Sequence, residues 1–163
     1  MVYVIIIVAF VAMETLIKNY IEANVKFGDK KEILEGKIVI NKCHNEGAFL
    51  NFLDKKKEIV KTVSFVMLGL LLLLFTIMLP KKGNKLFKLG LSLIVGGAVS
   101  NVSDRCLRGY VVDYFSIQSK RLKKLNQVVF NLADIAIFLG SFLLFLSSAF
   151  SGEFKSGSDK SAK

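Results

Sequence analysis

From Thr62 to Leu79 the chain runs for 18 residues without a charge. A helix that crosses a bilayer needs roughly 20 mostly apolar residues, with about 17 tolerable. Few soluble folds can absorb such a block, and it is not alone. Met1 to Met13 carries no charge and continues past Glu14 to Ile17, Leu89 to Ser103 is uncharged for 15 residues, and Leu125 to Gly152 carries only Asp134. Hydrophobic residues are 53% of the 163, and this blockwise distribution places the chain in the membrane class. We expect four spans, at about 1–17, 62–79, 89–104 and 131–150, within one membrane-embedded domain of residues 1–152. Both chain ends then lie on one side. The expected fold is an all-α membrane protein with a small β-element at one face.

The first block is read as a span and not as a cleaved signal peptide. No basic residue precedes Lys18 and no A-x-A site follows. Glu14 and Lys18, one helical turn apart, read as the point where this helix reaches the interface. The connector Pro80 to Lys88 holds Lys81, Lys82, Lys85 and Lys88 and no acid, so it is placed in the cytoplasm. The polar tail, residues 153–163, goes to the same side and reads as disordered. The opposite side also carries Lys55, Lys56, Lys57, Arg121, Lys123 and Lys124, so the charge rule favours this orientation by a narrow margin. The net charge of +10 suits anionic lipid headgroups. Nucleic acid is a poor partner, because the basic residues flank spans instead of lining one soluble face.

Between the first two spans, Lys37-Ile38-Val39-Ile40-Asn41 is β-branched and follows Gly36, which predicts a strand. Gly47 after Asn45-Glu46 predicts a turn. Gly109 to Phe115 also alternates with β-branched residues and is a candidate to pair with that strand. Open strand edges are costly in lipid, so this element belongs at the outer membrane face. Cys43 and Cys106 fall on the same side, and both a disulfide and two free thiols stay open. His44 has no further ligand at metal-binding spacing, so no metal is expected.

Three polar clusters stand out against the apolar background. Asp113, in Gly109-Tyr110-Val111-Val112-Asp113-Tyr114, follows the third span, and Asp134 opens the fourth. A carboxylate at the edge of a bilayer core costs on the order of 2–4 kcal/mol, so each is a functional candidate. Two such groups side by side cannot both ionise cheaply, which yields an acid and a base at one site. That pair suits water-mediated peptide hydrolysis. The plain alternative is a loop aspartate and a carboxylate at the positive end of a helix. The second cluster is Gly96-Gly97-Ala98-Val99-Ser100-Asn101-Val102-Ser103-Asp104-Arg105. Its glycines permit close helix approach, and Asn101 and Asp104 share a face. Helix packing with an interfacial ion pair explains it equally well. The third is Asn45-Glu46-Gly47-Ala48-Phe49, where Asn45 alone reads as a turn residue.

Taken in order, these residues resemble the lipoprotein signal peptidase family (signal peptidase II), membrane aspartic endopeptidases of bacteria. The family pattern N-x-G-A-F is matched by Asn45 to Phe49, and G-G-A-x-x-N-x-x-D-R by Gly96 to Arg105. G-x-V-V-D-[FY] is matched by Gly109 to Tyr114, and F-N-x-A-D-x-x-I by Phe130 to Ile137. The resemblance implies four spans with an extracytoplasmic β-cradle. It also implies a catalytic pair at Asp113 and Asp134, supported by Asn101, Asp104, Arg105 and Asn131. Asn45 matches a residue that contacts substrate or the antibiotic globomycin. The implied reaction removes the signal peptide of a prolipoprotein just before a diacylglyceryl-modified cysteine, with no cofactor. Membrane lipids are the other implied partners, and a monomer in the cell membrane is expected. The sequence departs from the family at the end of the first span, where D-x-x-T-K becomes Glu14-Thr15-Leu16-Ile17-Lys18, which we read as supporting the site. It also shows Phe49-Leu50-Asn51-Phe52 in place of A-F-S-F.

Two rivals follow from the same residues. A small ion- or proton-coupled transporter would carry carboxylates in its spans, but it predicts polar groups near mid-span and inverted repeats. A non-catalytic lipopeptide-binding member of the family would not need the intact pair.

Overall fold

The structure is a computed structural model. It describes residues 1–47, 57–119, 121–122 and 124–158, the last eight by backbone alone. Ala48 to Phe52, Lys55, Lys56, Lys123 and the tail from 159 lie outside the described residues. Four long helices are α1 (Val2–Asn24), α2 (Lys57–Met78), α3 (Lys85–Leu107) and α4 (Leu132–Ser158). Each is long and apolar enough to cross a membrane. Three strands, β1 (Lys31–Ile33), β2 (Ile38–Asn45) and β3 (Val111–Ile117), form one antiparallel sheet in that order. The expected four-helix membrane fold with a small sheet is therefore present, and the suggested pairing of the Gly109 segment with the first predicted strand is seen.

α3 is the central helix, packed against the other three and buried along most of its length. Its mean hydropathy of 1.4 is the lowest of the four spans, against 1.9, 2.3 and 2.0 for α1, α2 and α4. That inversion has a physical cause. A helix surrounded by protein can hold Ser100, Asn101 and Asp104 because a neighbour, Lys18 of α1, satisfies them. Helices facing lipid have no such partners. On α2, Val63, Val66, Leu70, Leu73 and Ile77 stand exposed at helical spacing, as do Phe138, Phe142 and Phe145 on α4. Apolar stripes of this extent, outside a water-filled setting, are lipid-facing surface.

Glycine sets how closely α3 and α4 meet. A Cβ at Gly97 would lie 2.5 Å from the Ala133 carbonyl oxygen, and one at Gly140 would lie 2.5 Å from the Gly90 carbonyl oxygen. The two backbones are thus in near contact, as small residues allow in membranes. Gly96 faces the other way, onto Phe10 of α1.

Several bounds differ from those read in the sequence. α1 runs on to Asn24, so Glu14 and Lys18 lie inside the helix and not at its end. Both are buried, at 0% and 1% exposure. α4 continues to Ser158, so residues 153–158, expected as disordered tail, are helical. Adding a residue to an existing helix is far cheaper than starting one, which lets small polar residues extend it. β2 extends to Asn45, so Asn45 closes a strand, and the bend falls at Gly47. β1 is fully exposed and carries no apolar alternation. Cys43 and Cys106 are both free thiols.

Candidate active site

Asp113 owes its place to the turn between α3 and β3. Gly109 has φ 85°, a left-handed conformation that favours glycine, and it turns the chain from α3 into β3. Side chains alternate along β3. Val112 and Tyr114 pack with Ile21 against α1, while Asp113 pairs across to Cys43 of β2. Asp113 is 2% exposed. Its Oδ1 accepts from Asn131 Nδ2 at 2.6 Å and its Oδ2 from Asn45 Nδ2 at 3.0 Å.

Asp134 is placed by the start of α4. Asn131 is the residue before the helix, and its Oδ1 accepts the backbone N–H of Asp134 at 2.9 Å. In return Asp134 Oδ2 accepts the backbone N–H of Asn131 at 3.2 Å. This is a reciprocal capping box, which satisfies two otherwise unpaired helix-start donors. Asp134 Oδ1 accepts from Asn101 Nδ2 of α3 at 3.0 Å. Phe130, one residue earlier, bridges to Phe115 of β3, with its N–H donating to the Phe115 carbonyl at 2.7 Å. The strand that bears Asp113 and the helix that bears Asp134 are thereby tied together beside the pair. Asn131 touches both carboxylates at once.

A second layer of charge stands behind these contacts. Lys18 Nζ donates to Asp104 Oδ2 at 2.9 Å, Asn101 Oδ1 at 3.0 Å and Ser100 Oγ at 3.1 Å. By taking the Asn101 oxygen, Lys18 turns the amide nitrogen toward Asp134. Glu14 accepts from the Tyr114 hydroxyl at 2.9 Å and from the Ala133 N–H at 3.4 Å. The Tyr114 hydroxyl also accepts the Leu132 N–H at 3.1 Å. Asp104 accepts the Val112 N–H at 3.1 Å, next to Asp113. A buried charge left without its partner costs about 3–5 kcal/mol, so such a network holds only if complete.

The electrostatics follow from burial and crowding. Burial pushes the Asp113 carboxyl up to about 7, and the charge of Asp134 adds to the rise, while Asn45, Asn131 and Lys18 oppose it. Burial likewise raises the Cys43 thiol, helped by Asp113, and raises the Tyr114 hydroxyl, helped by Glu14. The Arg105 guanidinium donates to two carbonyls, those of Asn101 at 3.4 Å and Gly47 at 3.5 Å.

Of the residues singled out in the sequence, Asp113, Asp134, Asn45, Asn101 and Asn131 therefore meet directly. Lys18, Glu14 and Asp104 stand one contact behind, and Arg105 reaches across to the end of β2. Ser100, Tyr114 and Phe130 were not singled out. Tyr114 and Phe130 are nonetheless specified positions of the quoted motifs, and Ser100 lies inside one.

Comparison with known proteins bears on this arrangement. The family model described as signal peptidase (SPase) II matches residues 6–150. This chain belongs to the signal peptidase II family. Among curated relatives, the lipoprotein signal peptidase of Lactobacillus johnsonii is 30% identical over 151 residues, covering 93% of this chain and 94% of that protein. That of Lactococcus lactis subsp. cremoris is 31% identical over 145 residues, covering 88% and 90%. Among solved structures, a bacterial membrane enzyme determined in meso at 2.3 Å superposes with a TM-score of 0.77 at 25% identity, covering 99% of this chain and 93% of that one. A second, at 1.9 Å, gives 0.74 at 26% identity, covering 90% and 91%. As a signal peptidase II, the chain is a multi-pass membrane peptidase, and the transporter reading falls away.

Proposed function

We propose that this signal peptidase II is an aspartic endopeptidase that cleaves diacylglyceryl-modified prolipoproteins just before the lipidated cysteine. The observation that carries the reading is the sharing of Asn131 by two carboxyl groups. Each of the four oxygens of Asp113 and Asp134 accepts one N–H donor, and Asn131 supplies a donor to each residue. The pair is thus aimed by amide groups that cannot themselves transfer protons.

The chemistry is as follows. The charged carboxylate takes a proton from water as the water oxygen adds to the scissile carbonyl carbon. The protonated carboxyl gives its proton to the carbonyl oxygen. Collapse of that intermediate breaks the C–N bond, and the amine leaves with a proton from the pair. Asp113, raised to about 7, is suited to hold a proton at neutral pH. Asp134 is half-buried where Asp113 is enclosed, which gives water a route to the pair. Asn45 and Arg105, at the mouth between β2 and α3, are the groups we assign to the substrate backbone and to globomycin-like inhibitors. All of these groups lie at the end of the bundle opposite the Pro80–Lys88 connector. We assign that end to the extracytoplasmic face of the cell membrane.

The test uses the purified protein in detergent with a diacylglyceryl-modified prolipoprotein. Mass spectrometry should show a product beginning at the modified cysteine. Asp113→Asn and Asp134→Asn should each abolish cleavage while the protein still folds. Retention of more than about a tenth of the rate by either variant, a loss of only ~1.4 kcal/mol, would reject the assignment.

A further inference from the structure

The only histidine of the chain lies beside the site and outside every motif used so far. β2 presents two faces near its end. Cys43 and Asn45 face Asp113, and Asn45 donates to it. Lys42 and His44 face the end of α1. There His44 Nε2 lies 2.6 Å from Glu22 Oε1. Lys42 Nζ lies 3.6 Å from Glu22 Oε2 and donates to the Glu22 carbonyl at 3.2 Å. The His44 ring stacks on Tyr110 at 3.7 Å between centroids, and Phe27 meets it edge-on at 4.7 Å. Tyr110 directly precedes β3, three residues from Asp113. One imidazole thus fastens the end of α1, the end of β2 and the start of β3 together.

Asn45 needs such an anchor. Its side-chain oxygen is buried and has no hydrogen-bond partner among the described residues. Its single bond to Asp113 cannot fix its position, so the strand must. We propose that His44, clamped between Glu22 and Tyr110, is a positioning residue that holds Asn45 against Asp113.

This inference rests on the aspartic reading, and it can fail while that reading stands. The groups facing Asp113 are Asp134 from α4 and Asn131 just before it, Lys18 from α1, Arg105 from α3, and Asn45 and Cys43 from β2. Those facing His44 are Glu22 and Lys42, with Tyr110. Asn45 lowers the proton affinity of Asp113. Loosening Asn45 should therefore move the alkaline limb of the rate profile to higher pH. His44→Phe keeps the ring contacts and loses the bond to Glu22. His44→Gln keeps a donor near the Nε2 position.

Cleavage of a lipidated precursor is to be measured from pH 5 to 9 for wild type, His44→Phe, His44→Gln, Glu22→Gln and Asp113→Asn. We expect His44→Phe to lower kcat about tenfold with little change in KM, as small misplacements at a reacting centre do. Its alkaline limb should shift upward, and His44→Gln, which keeps the Glu22 bond but loses the Tyr110 stack, should recover part of both. Glu22→Gln should shift the limb in the same direction with the histidine intact. Wild-type kcat and limb in both His44→Phe and Glu22→Gln would overturn the proposal. So would equal losses in His44→Phe and His44→Gln with no movement of the limb, since that marks a stability role alone. If Asp113→Asn still cleaves, the aspartic reading fails and takes the proposal with it.

Discussion

At the scale of single residues, the buried carboxyl of Asp113 has two consequences for pH. Its affinity for a proton rises from 3.8 to about 7 on folding, so the folded state binds that proton more tightly than the unfolded chain. Stability from this group is complete below about pH 4 and declines as pH climbs through 7. Thermal unfolding in detergent at pH 5 and pH 8 should show a decline that Asp113→Asn lacks, and parallel curves would contradict it. Activity should fall on the same alkaline side, as the pair loses its one proton. A rate flat from pH 6 to 9 would argue against a shared proton. Lys18 is the next residue to test. Lys18→Met leaves the Asn101 oxygen with only the longer bond from Asn131 Nδ2, at 3.3 Å, and leaves Asp104 with Arg108 and a backbone N–H. We expect at least a tenfold loss of rate and about 3 kcal/mol of lost stability. A Lys18→Met enzyme as fast as wild type would disconnect α1 from the pair. The burial of Glu14 and Lys18 was not legible in the sequence. Their spacing suits an interface equally well, and the partners that make burial tolerable stand about a hundred positions away, at Tyr114 and Asp104.

At the scale of elements, the site depends on how closely α3 and α4 approach. Gly97 lies one turn before Asn101, and Ala133 immediately precedes Asp134. A methyl group at Gly97 meets the Ala133 carbonyl oxygen, a backbone atom that cannot swing aside. Gly97→Ala should therefore part the helices, lengthen the Asn101–Asp134 bond and reduce both the rate and the melting temperature. Gly69 of α2 is the control, because a Cβ there meets nothing within 4 Å. Gly69→Ala should be neutral or stabilise by up to ~1 kcal/mol. If the two variants melt and cleave alike, close packing is not what sets the site. The four helices were legible because lipid enforces a long uncharged block. β2 and β3 were partly legible from β-branched runs. β1 was not, since Lys31, Glu32 and Ile33 are exposed and only their pairing with β2 makes them a strand.

At the scale of the whole molecule, the pair sits where span ends meet the sheet, beside apolar helix faces open to lipid. Each methylene of an acyl chain buried there contributes ~0.8 kcal/mol, which for two chains outweighs a few side-chain contacts. An unlipidated precursor of identical sequence should be cleaved far more slowly. Equal efficiency on both would favour a general intramembrane peptidase. Cleavage should also survive a metal chelator, because the proposed proton transfers need only carboxyl groups. Loss of activity restored by zinc would overturn that chemistry. The grouping of Asn45, Asn101, Asn131 and the two aspartates was legible from motif order. The route by which Lys18 aims Asn101 was not, because no spacing rule connects α1 to α3.

The cap on α4 carries one more implication. Asn131 cannot both seal the first turn of the last helix and reach Asp113 until that helix has entered the bilayer and docked. On the aspartic reading proposed above, every earlier stage of the nascent chain lacks one of the two reacting carboxyl groups. The proposed peptidase would therefore stay inert until its own fold is complete.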